Sequence, residues 1–245
     1  MPIRTGQSVL IEMNTGIVNI LGMDGEELTI SGKTVDLERT NYEVLDSRDQ
    51  IHIKANYHKS IFSRFPDPPL ELNVHLPQES TLRVETFDAN VLLLDLRGSI
   101  AVDSVTGDIE AENVAGIISL RSGRGNIRAI NCSGEVTVLG EHGILSIEDS
   151  RGDLGASTIM GSILFSGEPV AGDMIRLETD HGPIRIDLGE EISLDFSVNT
   201  TSGNLVCEIP GLDASTRSCS GTFGRGEGEI WVRTVSGDVT VQIAP

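Results

Sequence analysis

Aromatic side chains are scarce in this sequence: six Phe, two Tyr and one Trp in 245 residues. An ordinary globular core draws much of its buried area from such rings, so a core of that kind is not expected. Cysteine is also rare. Cys132, Cys207 and Cys219 form an odd set without CxxC or Cys/His spacing, which excludes a zinc ribbon or finger on sequence grounds. Cys132 stands at a repeat position held elsewhere by valine (Val105, Val114), so it reads as a small buried apolar residue, and nothing in the set asks for an oxidising compartment. No apolar run approaches the roughly 20 residues of a membrane span. The opening Met-Pro-Ile-Arg-Thr-Gly-Gln-Ser has neither the basic segment nor the apolar stretch of a signal peptide. The expected compartment is therefore the cytoplasm, with envelope or secretion reserved for a chain from which a leader has been removed.

Positive charge is in short supply too. Eighteen Lys and Arg stand against 37 Asp and Glu, a formal net charge of −19. Such a surface repels phosphate backbones and anionic lipid headgroups, which argues against nucleic-acid and peripheral-membrane partners. Sequence signatures of catalysis are missing: there is no P-loop, no GxSxG and no HExxH. The five histidines are scattered without a shared ligand spacing, and Gly224-Arg-Gly-Glu-Gly228 does not lie between a strand and a helix. No cofactor, metal site or catalytic residue is expected, and the chain reads as a non-enzyme.

What the sequence has is glycine, 27 of them, in rhythm. From residue 98 glycine recurs at 98, 107, 116, 125, 134, 143, 152 and 161, seven consecutive intervals of nine. Between them runs x-Φ-x-Φ, with the apolar pairs Ile100/Val102, Ile109/Ala111, Ile118/Leu120, Ile127/Ala129, Val136/Val138, Leu145/Ile147 and Leu154/Ala156. Each unit is a short period-2 strand with one buried face, closed by a glycine corner. Strands so short are stable only when coil stacks on coil, with aliphatic ladders filling a narrow tube. The expected fold is all-β: a single-stranded parallel β-helix, right-handed by the general preference of parallel crossovers. Two units closing one coil would stack residues 18 apart, setting Asp103 against Arg121 and Glu110 against Arg128.

The beat drifts after Gly161, returns near Thr201-Ser202-Gly203, and closes with Ile230 to Val241 after a Gly/Ser-rich segment, Pro210 to Gly228, that reads as a mobile insertion. Within one continuous domain, residues 79–245 carry the regular coils and 1–78 form irregular coils and a cap. In the first part Ser8–Ile11, Ile17–Ile20, Leu28–Ser31, Ile51–Ile53 and Leu70–Leu76 read as strands, and Asp24-Gly25 is the one hairpin-like turn. Between Ala55 and Pro69 lies the only basic and aromatic cluster: Tyr57, His58, Lys59, Phe62, Arg64 and Phe65. It fits a cap over the first coil or a docking patch for a partner.

The calcium-binding nine-residue repeat, Gly-Gly-x-Gly-x-Asp-x-Φ-x, is not what these turns spell, since they lack the double glycine and place Arg in two of four corners. Leu70-Glu-Leu-Asn-Val-His-Leu-Pro77 with Leu82-Arg-Val-Glu-Thr86, Val102-Asp-Ser-Val-Thr-Gly-Asp-Ile-Glu-Ala111 and Arg233-Thr-Val-Ser-Gly-Asp-Val-Thr-Val241 resemble the bacterial putative-adhesin family of β-strand-repeat proteins, whose function is largely unknown. The likeness runs over nearly the whole chain and departs at Arg121-Ser-Gly-Arg-Gly125 and Leu139-Gly-Glu-His-Gly143. It implies a parallel β-helix and a role at the cell envelope or in its stress response. The expected function is a non-catalytic binding or scaffold module for a protein or glycan partner. Two alternatives remain: end-to-end self-assembly, a homo-oligomer through the C-terminal coil, and a glycan-active β-helix enzyme.

Overall fold

The computed structural model describes residues 1–4, 6–34, 39–58 and 70–243. Among them there is no α-helix, and every named element is a strand. The chain begins with β1 (Ser8–Met23), β2 (Thr29–Lys33), β3 (Thr40–Asp46), β4 (Gln50–Tyr57) and β5 (Glu71–Pro77). The regular coils follow as β6 (Glu79–Leu94), β7 (Arg97–Thr106), β8 (Ile109–Glu112), β9 (Ala115–Arg124), β10 (Ile127–Ile130), β11 (Ser133–Glu148) and β12 (Arg151–Gly167). The C-terminal part holds β13 (Met174–His181), β14 (Ile184–Leu188), β15 (Leu194–Ser202), β16 (Leu205–Glu208), β17 (Asp213–Ala214), β18 (Ser218–Phe223), β19 (Gly228–Ser236) and β20 (Val239–Ile243).

Through β6 to β12 the pairing is parallel and each residue meets the one 18 positions on, as in Ile109↔Ile127 and Ile127↔Leu145. The expected stacking of Asp103 on Arg121 and Glu110 on Arg128 is present. Alternate side chains turn inward, so Ile100, Ile118, Val136 and Leu154 form one aliphatic column and Val102, Leu120, Val138 and Ala156 the next, all buried. One hydrophobic cluster runs from Val9 to Val241. At the repeating glycines the chain turns back on the coil below so closely that no Cβ fits. A methyl on Gly116, whose φ is 121°, would fall against the Gly98 carbonyl oxygen, and one on Gly134 against that of Gly116.

The turns that carry Gly98, Gly116, Gly134 and Gly152 hold a second left-handed residue three positions earlier, and there it is asparagine or aspartate rather than glycine. Asp95, Asn113, Asn131 and Asp149 all adopt left-handed φ between 49° and 57°, the region in which Asn and Asp are the best tolerated residues after glycine. Their side chains stack: Asn131 Nδ2 donates to Asn113 Oδ1 at 2.7 Å and Asn113 Nδ2 to Asp95 Oδ1 at 3.1 Å. A second column caps backbone amides, with Asp108 N–H donating to Asn90 Oδ1 and Asn126 N–H to Asp108 Oδ1. Hydroxyls fill the polar corner inside the tube, where Thr86 Oγ1 donates to Ser104 Oγ at 2.9 Å.

Both ends depart from simple succession. β1 lies inside the stack, pairing with β6 on one edge (Ser8↔Thr81) and with β4 and β5 on the other (Ser8↔Gln50, Ile17↔Glu71). β19 and β20 likewise lie between β13/β14 and β15/β16: Ile230 meets Ile175 and Phe196, and Val241 meets Ile186 and Cys207. Among the described residues the last coil of the sequence therefore has a strand on each of its two edges. Antiparallel strands lie on the outermost coils, β3 on β4 and β2 on β5 at one end and β18 on β15 at the other, where β16 pairs with β20 alone. This corrects two expectations. Asp24-Gly25 does not join a hairpin, since β2 pairs with β5 instead, and the Pro210–Gly228 segment carries the ordered capping strand β18. A capping strand blunts an edge that would otherwise template aggregation.

Cys207 of β16 and Cys219 of β18 form a disulfide that ties the outer coil to its cap. Closing a loop of this length stabilises the fold by about 3 kcal/mol in the chain-entropy account. The reading that no cysteine called for oxidation is corrected here, because the two sulfurs meet only through the antiparallel return of β18. Cys132 is buried and free, and burial pushes its thiol up to about 11, which leaves it unreactive. Two outcomes are expected. A thiol reagent finds none in the native protein and one after denaturation without reductant, as counted by absorbance. Gly116→Ala lowers stability by about 1–3 kcal/mol in urea titration, whereas Gly155→Ala, with open space around a Cβ, stays within about 0.5 kcal/mol.

Candidate binding groove

Outward side chains form columns that mirror the inner ones. One runs Glu135, Asp153, Met174, Glu229, and the next runs Thr137, Gly155, Arg176, Trp231. Gly155 interrupts the second column. Its neighbours carry side chains, it carries none, and the gap opens into a groove of about 410 Å³ lined by both columns. Trp231 forms one wall, with the Arg176 guanidinium 4.3 Å from its ring centroid, a cation–π contact. Arg176 also reaches Glu178, at 3.4 Å. Met174 is 54% exposed on the same surface. Glu135, Asp153 and Glu229 take no ion pair or side-chain hydrogen bond among the described residues.

The groove exists because of the end topology. Coil β12 meets β13 at an offset of 21 rather than 18, and β13 then meets β19, 55 residues further along. Asp173 accommodates the longer turn, its carboxylate accepting the backbone N–H groups of Gly152 and Val170, both at 2.9 Å. Trp231 is thereby brought two coils from Gly155. Sequence reasoning missed this site, and no local signal in the sequence joins the two residues.

The basic and aromatic cluster is not an exposed patch as a whole. Tyr57 is 3% exposed and belongs to the core of the outermost N-terminal coil, which removes it from a docking surface. Its backbone exchanges hydrogen bonds with the Asn14 side chain at 2.7 and 2.8 Å. His58 is exposed. Lys59, Phe62, Arg64 and Phe65 lie outside the described residues.

Two other concavities carry charge of both signs. A corner recess of about 790 Å³ joins the two atypical turns, Arg121 to Gly125 and Leu139 to Gly143, beside exposed Phe87. There Arg83 is engaged by Glu85 at 2.6 Å and Asp103 at 3.2 Å. A second recess gathers Asp149, Glu168, Asp187, Glu190 and Glu191 beside Arg151, and among the described residues no group of three or more His, Cys, Asp or Glu is placed to hold a metal ion. The shifted carboxyls belong to surface ion pairs: the Arg4 and Gln7 side chains hold Asp46 below the usual range, and Arg128 does the same for Glu148. Neither is raised toward a general acid. A depressed folded-state pKa contributes stability above the ordinary carboxylate range that is lost as pH falls through the lowered value. Glu148→Gln is therefore expected to lower the urea midpoint at pH 7 and to approach wild type at pH 3.

No helix among the described residues is long and apolar enough to cross a membrane. No curated protein matches the chain. One solved structure that does, a crystal structure of a putative cell adhesion protein from Clostridium sporogenes ATCC 15579, is 10% identical and aligned over 100% of this chain and 97% of its own. Its TM-score of 0.29 is too low to carry structural argument. Residues 8–242 match the Toastrack DUF4097 family. The β-repeat motifs that resembled a family thus lie within a match spanning all but the ends of the chain, and the chain belongs to the Toastrack DUF4097 family.

Proposed function

We propose that this chain is a non-catalytic binding and scaffold module, a rod wound as a single-stranded, right-handed parallel β-helix that engages its partner through its lateral faces. The observation that carries this reading is the capping of both ends. With antiparallel strands on the outermost coils, the stack presents its outward columns as the extended surface for recognition. Ten stacked coils at the usual strand spacing make a rod roughly 45 Å long. Such a solenoid is stiff because each coil is held by its neighbours, which suits a spacer or display element.

The same topology weakens the self-assembly alternative, since the C-terminal coil already uses both edges. A net charge of −19 adds repulsion between copies. The Cys207–Cys219 disulfide supports a place where disulfides persist, at or outside the cell envelope, over the cytoplasm expected from the sequence. Purified full chain is expected to co-sediment saturably with isolated bacterial envelopes while releasing no reducing ends from envelope polysaccharides. Release of sugar, abolished by a carboxylate-to-amide substitution, would overturn the non-catalytic reading and restore the glycan-active one.

A further inference from the structure

We propose that the groove over Gly155 is a recognition site for an arginine side chain presented by a partner polypeptide. The proposal rests on the binding-module reading and names the chemistry of one of its lateral sites. Three carboxylates, Glu135, Asp153 and Glu229, line the groove without partners among the described residues, while the single cation there, Arg176, is already engaged by Glu178 and stacked on Trp231. Uncommitted charge in the groove is therefore negative, on a chain whose overall charge steers cations toward it.

Hydrogen-bonding capacity decides between ligand classes. Ionised carboxylates only accept, and a guanidinium only donates, with five N–H groups in a planar fork. A sugar brings donors and acceptors together, and Thr137 is the one uncommitted hydroxyl among the lining side chains to answer its acceptors. The apolar part fits as well: Met174 and the bare backbone of Gly155 offer surface for the arginine methylenes. A lysine would gain the charge but not the paired, bidentate geometry.

Gly155 makes the test clean. Its backbone lies outside the left-handed region and a Cβ there meets nothing within 4 Å, so Gly155→Phe fills the groove without changing charge. Trp231 is the sole tryptophan, so its emission reports events in the groove. Titrating wild-type chain with the peptide acetyl-Gly-Gly-Arg-Gly-Gly-amide is expected to give a saturable change in Trp231 emission. The affinity falls by about tenfold or more with the citrulline peptide and in the Glu135→Gln/Asp153→Asn/Glu229→Gln variant, and the response disappears in Gly155→Phe. An equal response in Gly155→Phe, or an equal affinity for citrulline, would mean diffuse attraction to an acidic surface and would overturn the assignment. So would a response to cellotriose or chitotriose without one to the arginine peptide. Should Gly155→Phe fail to fold, as judged by circular dichroism, the carboxylate variant and the citrulline peptide carry the test. Envelope co-sedimentation without any Trp231 response removes the groove and leaves the binding module standing. A Trp231 response without envelope binding does the reverse.

Discussion

Parallel backbone hydrogen bonding between coils at one fixed register is the constraint on which the rest of this molecule depends. Every coil must return to the same height above its neighbour, which forces the corners together until a carbonyl oxygen of one coil sits where a Cβ of the next would be. Glycine at those corners follows from sterics, and the Asp95–Asn113–Asn131–Asp149 column follows from a second left-handed position three residues earlier in every other turn. The tube that results is narrow, so aliphatic residues fill it and large rings are excluded from most coils. Phe165 is the largest fully buried side chain, and it stacks between Ile147 and Ile186 in an inner column that also holds Ala111 and Ala129.

A stack of parallel coils ends by nature in two exposed edges, and this chain manages both in the same way. The first and last coils of the sequence are drawn one place inward, and a coil that carries an insertion becomes the outermost layer. The insertion then folds back as an antiparallel strand over the edge. The glycine column records the exchange at the C-terminal end: Gly182 packs on Gly161, Gly237 on Gly182, and Gly203 on Gly237. Drawing the termini inward also locks them, because β1 and β20 cannot fray without losing partners on both sides. The disulfide between Cys207 and Cys219 reinforces the cap, whose strand β18 is short.

The ends bear on function through what they leave open. With the edges occupied, the outward columns are the surface on which the proposed recognition would act, because the side chain at each height there is free of packing constraints. Some outward positions carry ion pairs between coils, such as Arg128 with Glu110 and Glu148, each worth about 0.2–1 kcal/mol. The Gly155 groove differs from those paired positions. A missing side chain, unpaired carboxylates and the only indole of the chain meet there, at the junction between the last regular coil and the two rearranged ones.

The nine-residue glycine beat determined the fold class, the 18-residue register, the inner columns and the burial of Cys132, because each is a consequence of local sterics repeated at a constant interval. The Asp/Asn corner column was legible in principle by the same period, read at positions 95, 113, 131 and 149. Only the tertiary structure decided the order of coils at the two ends, the role of residues 213–223 as a cap, the disulfide, the burial of Tyr57 and the meeting of Gly155 with Trp231. Those features depend on which edge a coil chooses when the interval breaks. That choice is made by competition between strands far apart in the chain for the same hydrogen-bonding partners, and no local pattern encodes it.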